Sequence, residues 1–323
     1  MKSKPKVLLT HPLLKEPMEF LAREVELELA TKGPFLPKAK LISRLKDKDG
    51  LLCFLSDQID KEVIDEAPNL KIIANCAVGV NNIDIQLARS RGIMITNTPD
   101  VLTEATADLT MALILATTRR LVSADHFCRQ GKFNGWEIDL FLGPELSGKT
   151  LGIIGFGRIG QAVARRARAF NLKLIYYNPN KLNPEKEKMF GVEYRSLESL
   201  LAEADIVSIH ASLTPQSYHL LNKDRLKLMK RSAVLINVAR GAIIEEKALI
   251  DALKQGQIWA AGLDVYENEP QIDPELLRLE NVILLPHIGS ATFETRRKMC
   301  FLAVNNLLQG LRGERPDNLV EIW

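Results

Sequence analysis

Residues 150–181 read TLGIIGFGRIGQAVARRARAFNLKLIYYNPNK, and the order of residue types in this stretch decides the fold. An apolar run at 151–154 leads straight into Gly155, Gly157 and Gly160, spaced G-x-G-x-x-G. The next segment carries Ile159, Ala162, Val163 and Phe170 on one helical side, and a second apolar run fills 173–177. Strand, glycines, helix and strand in that order predict a parallel βαβ unit with a dinucleotide-binding turn. The first glycine permits a tight turn, the second lets a pyrophosphate approach the backbone, and the third lets helix and strand pack closely. Phosphate charge is met by N–H groups at the helix start. Gly155, Gly157, Arg158, Ile159 and Gly160 are the candidate residues; the plainer alternative is a strand-to-helix turn with no ligand.

The second run ends at Asn178, where sites specific for NAD place Asp or Glu against the ribose hydroxyls. No carboxylate there repels a 2′-phosphate, and Lys181 is available to pair with one, although it also reads as an exposed turn residue. The expectation is NADPH as preferred cofactor, with NADH possible.

Outward from this unit, short runs rich in Val, Ile and Leu alternate with helix-like stretches along the whole chain. Strands are expected at 6–10, 25–30, 50–55, 71–76 and 93–97, then at 150–155, 173–178, 206–211, 233–238, 260–265 and 282–286. Most lack in-out alternation, which means both faces are buried, as in parallel sheets covered by helices. The fold class is therefore α/β. Residues 103–121 predict one buried helix, with Thr103 as its cap, Glu104 in its first turn and Arg119 and Arg120 at its end. Residues 131–148 look irregular, with five glycine or proline breaks among Phe133, Trp136 and Phe141. They read either as a loop over their own core or as an arm reaching a second subunit.

A chain of 323 residues suits about two domains. Lys plus Arg total 43 against 40 for Asp plus Glu, so no electrostatic footprint for nucleic acid or an anionic membrane exists. Cys53, Cys76, Cys128 and Cys300 form no C-x-x-C pair, which points to no metal and no disulfide set, and so to the cytoplasm. No apolar run is long enough to be a signal-peptide core or a membrane span.

Three polar features follow strands in the second half: Arg240 after 233–238, the segment Tyr266-Glu267-Asn268-Glu269-Pro270 after 260–265, and Pro286-His287-Ile288-Gly289-Ser290 after 282–286. Ligands of doubly wound sheets bind beyond the carboxyl ends of the strands, so an Arg, a carboxylate and a His are expected to converge. With the segments GFGRIG, NVARGAIIEEKAL, AAGLDVYENEP and NVILLPHIGSAT, the chain resembles the D-2-hydroxyacid dehydrogenase family over essentially its whole length. Within that family it looks most like the glyoxylate/hydroxypyruvate reductases, through GLLCFLSDQID, TPDVLTEATADL, SLTP at 212–215 and NNLLQGLRGE.

The resemblance implies two Rossmann-like doubly wound parallel-sheet domains with a cleft between them. A discontinuous substrate-binding domain would comprise 1–100 and 291–323, with 291–311 as a returning helix; an NAD(P)-binding domain with a dimerisation arm would span 101–290. It implies reduction of a small 2-oxo acid to the D-2-hydroxy acid by hydride transfer. Arg240 would bind the substrate carboxylate and polarise the 2-oxo group, His287 would donate the proton, and Glu269 would fix the His287 tautomer and favour its charged form. Val78 and Gly79 would offer N–H groups to the carboxylate, with Ser290 beside it. Asp264 would contact the nicotinamide end, with Ser212, Val238 and Gly289 along the cofactor path. Trp136 would reach the active site of the partner in a homodimer. The chemistry agrees: a 2-oxo acid needs a cation for its carboxylate and an acid for its carbonyl oxygen.

Two rivals remain at this stage. A 3-phosphoglycerate dehydrogenase is one, although many of those add a C-terminal regulatory domain and this chain ends soon after the last helix. A nucleotide-sensing corepressor on the same fold is the other, against which the intact Arg240, Glu269 and His287 argue without excluding it.

Overall fold

A computed structural model describes residues 3–33 and 36–321. Its strands are β1 (Lys6–Leu9), β2 (Glu26–Leu29), β3 (Gly50–Cys53), β4 (Ile72–Asn75), β5 (Met94–Thr96), β6 (Thr150–Ile154), β7 (Lys173–Tyr177), β8 (Val192–Tyr194), β9 (Ile206–Ile209), β10 (Val234–Asn237), β11 (Ala260–Leu263) and β12 (Val282–Leu284). The helices are α1 (Lys15–Glu24), α2 (Lys38–Leu45), α3 (Lys61–Asp65), α4 (Ile85–Ser90), α5 (Thr103–Thr118), α6 (Leu121–Arg129), α7 (Arg158–Ala167), α8 (Pro184–Phe190), α9 (Leu197–Glu203), α10 (Lys223–Leu226), α11 (Glu246–Lys254) and α12 (Phe293–Leu311). The chain forms two compact units, Met1–Leu102 with Ala291–Trp323, and Thr103–Ser290.

The first unit holds a five-stranded parallel sheet in the order β2-β1-β3-β4-β5. Successive strand residues point to opposite faces. Leu8, Leu51 and Ile73 therefore pack with α2, α3 and α4, while Val7, Leu9, Leu52 and Ile72 pack with α1 and α12. The second unit holds a seven-stranded parallel sheet in the order β12-β11-β10-β9-β6-β7-β8. The same alternation sends Val234 and Ile236 toward α5 and α7, and Leu235 toward α9 and α11. Each such fully buried aliphatic side chain contributes about 1.5–3 kcal/mol, which is why these strands carry no polar face. Strand order reverses direction between β6 and β9, and ligands of such sheets bind at that switch point.

The α/β architecture with two parallel sheets agrees with the sequence reading, and the expected strands form with ends shifted by one or two residues. Four details differ. The edge strand β8 is short and half-polar, so it gives little apolar signal. The expected single helix at 103–121 stops at Thr118, because Arg120 adopts a left-handed backbone (φ 51°) and its N–H closes a tighter turn on Thr117; α6 then begins at Leu121. Thr103 is the first helical residue and not the cap. Phe170 leaves the apolar side of α7, lying exposed in a 3₁₀ turn. Among the described residues no helix is long and apolar enough to cross a membrane.

Candidate active site

The glycine turn lies at the switch point of the seven-stranded sheet. Gly155 has φ +91°, and a Cβ there would lie 2.4 Å from the Ala211 nitrogen, so only glycine lets the turn pass the end of β9. A Cβ on Gly160 would sit 2.4 Å from the Gly155 carbonyl oxygen, which is the close helix–strand approach. Gly157 differs: a Cβ there meets nothing within 4 Å. It is also the N-cap of α7, and no side chain caps that helix. Open space above an uncapped ten-residue helix suits a pyrophosphate, which takes both the N–H groups and the positive end of the helix dipole. Arg158 is exposed beside it and Ile159 half-buried.

Asn178, just after β7, reaches back to this turn: the Phe156 N–H donates to its Oδ1 at 2.8 Å. One amide thus ties the glycine turn to the end of β7. Lys181 stands 3.7 Å from Glu187 and 5.7 Å from the Tyr194 ring centre, a loose and exposed arrangement.

Beyond β10, β11 and β12 the expected polar residues come together. His287 Nδ1 and Glu269 Oε2 are 2.7 Å apart, and the Tyr266 N–H holds the other carboxylate oxygen at 3.0 Å. Nδ1 therefore carries the hydrogen toward the carboxylate, and Nε2 is left for chemistry. His287 has φ +54°, a conformation that costs a side-chain-bearing residue about 1–3 kcal/mol. Asp264 sustains it. This fully buried carboxylate accepts the Ile288 and Gly289 N–H groups, one on each oxygen, both at 2.7 Å. Burial pushes the Asp264 carboxyl above its usual range, and the two N–H groups work against that.

Arg240 is half-buried, and its Nη1 donates to the Ala239 carbonyl at 2.7 Å. Burial draws its pKa down, and the charge of Glu269 opposes the shift, so the two groups share one electrostatic environment. Their loops meet because of Gly241, where a Cβ would lie 1.9 Å from the Tyr266 carbonyl carbon. Sequence reasoning missed three supports here. Asn237, fully buried at the end of β10, donates to the Arg240 carbonyl at 2.9 Å and accepts the Ala239 N–H at 3.0 Å. The Tyr266 hydroxyl donates to the Leu285 carbonyl at 2.8 Å, two residues before His287. Gly241 is the third. An asparagine closing an otherwise aliphatic strand was the available signal for the first.

In the first unit, Val78 is exposed and Gly79 half-buried in the turn after β4. Their N–H groups donate to no protein acceptor among the described residues. Val238 is buried, Ser212 exposed and Ser290 half-buried in the second unit. Trp136 is 79 % exposed in an irregular segment that also presents Phe133, Ile138 and Leu142. Among the described residues no cluster of His, Cys, Asp or Glu would hold a metal ion.

Comparison with known proteins adds to this geometry. Residues 111–289 match the family described as D-isomer specific 2-hydroxyacid dehydrogenase, NAD binding domain. A glyoxylate reductase of Thermococcus kodakarensis is 49 % identical over 321 residues, covering 98 % of this chain and 96 % of its own. A solved structure from Thermus thermophilus superposes with a TM-score of 0.90 at 46 % identity, covering 98 % of this chain and all of that one. An NADPH-dependent glyoxylate/hydroxypyruvate reductase from Sinorhizobium meliloti, solved with NADP and malonate, gives a TM-score of 0.86 at 33 % identity, over 98 % and 97 % of the two chains.

Proposed function

The chain belongs to the D-isomer specific 2-hydroxyacid dehydrogenases, which are nicotinamide-dependent oxidoreductases, and from that premise we propose that it reduces glyoxylate or hydroxypyruvate to the D-2-hydroxy acid, with NADPH preferred. In the balanced reaction, a 2-oxo acid, a reduced nicotinamide and one proton give the 2-hydroxy acid and the oxidised nicotinamide. The cofactor, when bound at the Gly155–Gly160 turn, supplies the hydride. His287 Nε2 gives the proton to the carbonyl oxygen, while Glu269 on Nδ1 holds the ring and balances its charge. Arg240 binds the carboxylate and polarises the carbonyl, and the Val78 and Gly79 N–H groups also bind the carboxylate. Ser290 lies beside the substrate, and Ser212, Val238 and Gly289 line the cofactor path. Asp264 serves that path by holding the backbone after His287.

The observation that carries this reading is the 2.7 Å His287–Glu269 pair on a left-handed residue clamped by Asp264. NADPH is favoured because the residue after β7 is Asn178 and not a carboxylate, with Lys181 three residues on in sequence; the NADP-bound S. meliloti relative supports the same reading. Four unpaired cysteines fit a reducing compartment, and we assign the chain to the cytoplasm. The exposed apolar residues around Trp136 fit an arm in a homodimer, an assignment that a monomer in sedimentation would remove.

The direct test is kcat/KM for glyoxylate, hydroxypyruvate and pyruvate, each with NADPH and NADH. Glyoxylate or hydroxypyruvate with NADPH is expected to give the highest value. Tight cofactor binding without turnover of any 2-oxo acid would favour a nucleotide sensor instead.

A further inference from the structure

We propose that the side-chain amides of Asn97 and Asn75 are positioning residues for substrate binding, aiming the N–H groups of the turn at 78–80. This rests on the reading above that the Val78–Gly79 turn holds the substrate carboxylate. Four consecutive carbonyls of the turn are occupied from within the same unit. The Ala77 oxygen accepts the Thr98 N–H at 2.9 Å, and the Val78 oxygen accepts Asn97 Nδ2 at 2.8 Å. The Gly79 oxygen accepts Asn75 Nδ2 at 2.8 Å, and the Val80 oxygen accepts the Ile83 N–H at 3.1 Å.

In a trans peptide the C=O of one residue and the N–H of the next lie in one plane and point in opposite directions. Tying the Ala77, Val78 and Gly79 carbonyls inward therefore turns the N–H groups of Val78, Gly79 and Val80 outward. Asn97 thereby fixes the peptide that carries the Gly79 N–H, and Asn75 the peptide that carries the Val80 N–H.

Each amide is itself held. Asn75 is fully buried at the end of β4, and its Oδ1 accepts the Cys53 thiol at 3.6 Å. Its Nδ2 also lies 3.3 Å from the oxygen of Asn82, whose own amide donates to the Phe54 and Asp57 carbonyls. Asn97 is fixed through its backbone: its carbonyl accepts Asn306 Nδ2 from α12 at 3.2 Å, and its N–H points to the Asn318 carbonyl at 3.4 Å. A helix from the far end of the chain thus reaches the turn through one asparagine.

The test compares Asn97→Ala, Asn97→Leu and Asn75→Leu with wild type by KM and kcat for glyoxylate, by inhibition with oxamate, and by NADPH affinity. Leucine shares the branched outline of the amide, is larger, and removes the donor, while alanine removes the donor and leaves space. Each substitution is expected to raise KM and the oxamate inhibition constant about five- to tenfold, the value of one hydrogen bond, with kcat within about threefold and NADPH affinity unchanged. A cooperative melt and a wild-type far-ultraviolet circular dichroism spectrum establish folding, and where the leucine variant does not fold, Asn97→Ala decides. Wild-type KM and oxamate inhibition in folded Asn97→Leu, or a fall in kcat without a rise in KM, overturns the proposal. Val78→Pro, which deletes one N–H, separates the two readings. If it weakens oxamate while the asparagine variants do not, the clamp is wrong and the turn is right. If it leaves oxamate binding intact, the turn reading fails and the clamp with it.

Discussion

At the scale of single residues, the site depends on groups with one conformation open to them. His287 sits at φ +54° with Nδ1 committed to Glu269, so Nε2 is the atom left to move a proton. His287→Ala is expected to lower kcat by on the order of 10²–10⁴, measured with saturating glyoxylate and NADPH. A loss below tenfold would assign the proton to another group. Asn178 has one observed bond and one proposed contact with the ribose, and a substitution separates them. Aspartate keeps the acceptor for the Phe156 N–H and adds a negative charge where a 2′-phosphate would lie. Asn178→Asp should thus remain folded while its ratio of kcat/KM for NADPH over NADH falls about tenfold or more. An unchanged ratio would count against Asn178 facing the ribose.

At the scale of elements, the proposed reactive groups sit on loops beyond β10, β11 and β12, and glycine sets how near those loops come. Gly241→Ala would drive a methyl group into the Tyr266 backbone. It should cost about 1–3 kcal/mol or more of stability and separate the Arg240 loop from the Glu269 loop. Thermal melts and kcat/KM read the two effects, and a variant with wild-type values of both would mean the loops are not in contact. The central strands were legible in the sequence because they are largely aliphatic with both faces buried, whereas β8 at the sheet edge was not, and the glycine turn because its spacing is tied to one geometry. That Glu269 and His287 would meet was legible because both follow neighbouring parallel strands, whose carboxyl ends lie together. What was not legible depended on tertiary partners. Asn237 and Asn75 read as polar interruptions of strands until the carbonyls they bind are seen. The break at Arg120 leaves no mark in an apolar pattern that continues into Leu121 and Val122.

At the scale of the whole molecule, acidity acts through a histidine the chemistry does not use. His210, after β9, has Nε2 2.8 Å from the Ser208 hydroxyl and, among the described residues, no partner on Nδ1, and burial pushes its pKa down to about 3. It is neutral in the folded chain and takes up a proton on unfolding below pH ~6.5. Stability is therefore present above that pH and falls as pH drops from there toward about 3, by at most ~1.4 kcal/mol per pH unit from this group. Melting temperature against pH should slope less in His210→Gln than in wild type between pH 6 and 4, and parallel slopes would sink the assignment. The arrangement of α12 bears on a different matter, the order in which the ribosome releases the chain. The face formed by Val7, Leu9, Leu52 and Ile72 is covered by Met299, Ala303, Val304 and Leu307, and the Ile95 carbonyl waits for the Val320 N–H. The second unit is continuous in sequence and emerges whole before that cover is made. A nascent chain thus carries a half-covered apolar sheet through most of its synthesis, at ~5–20 residues per second, and that surface is exposed to aggregation until α12 arrives.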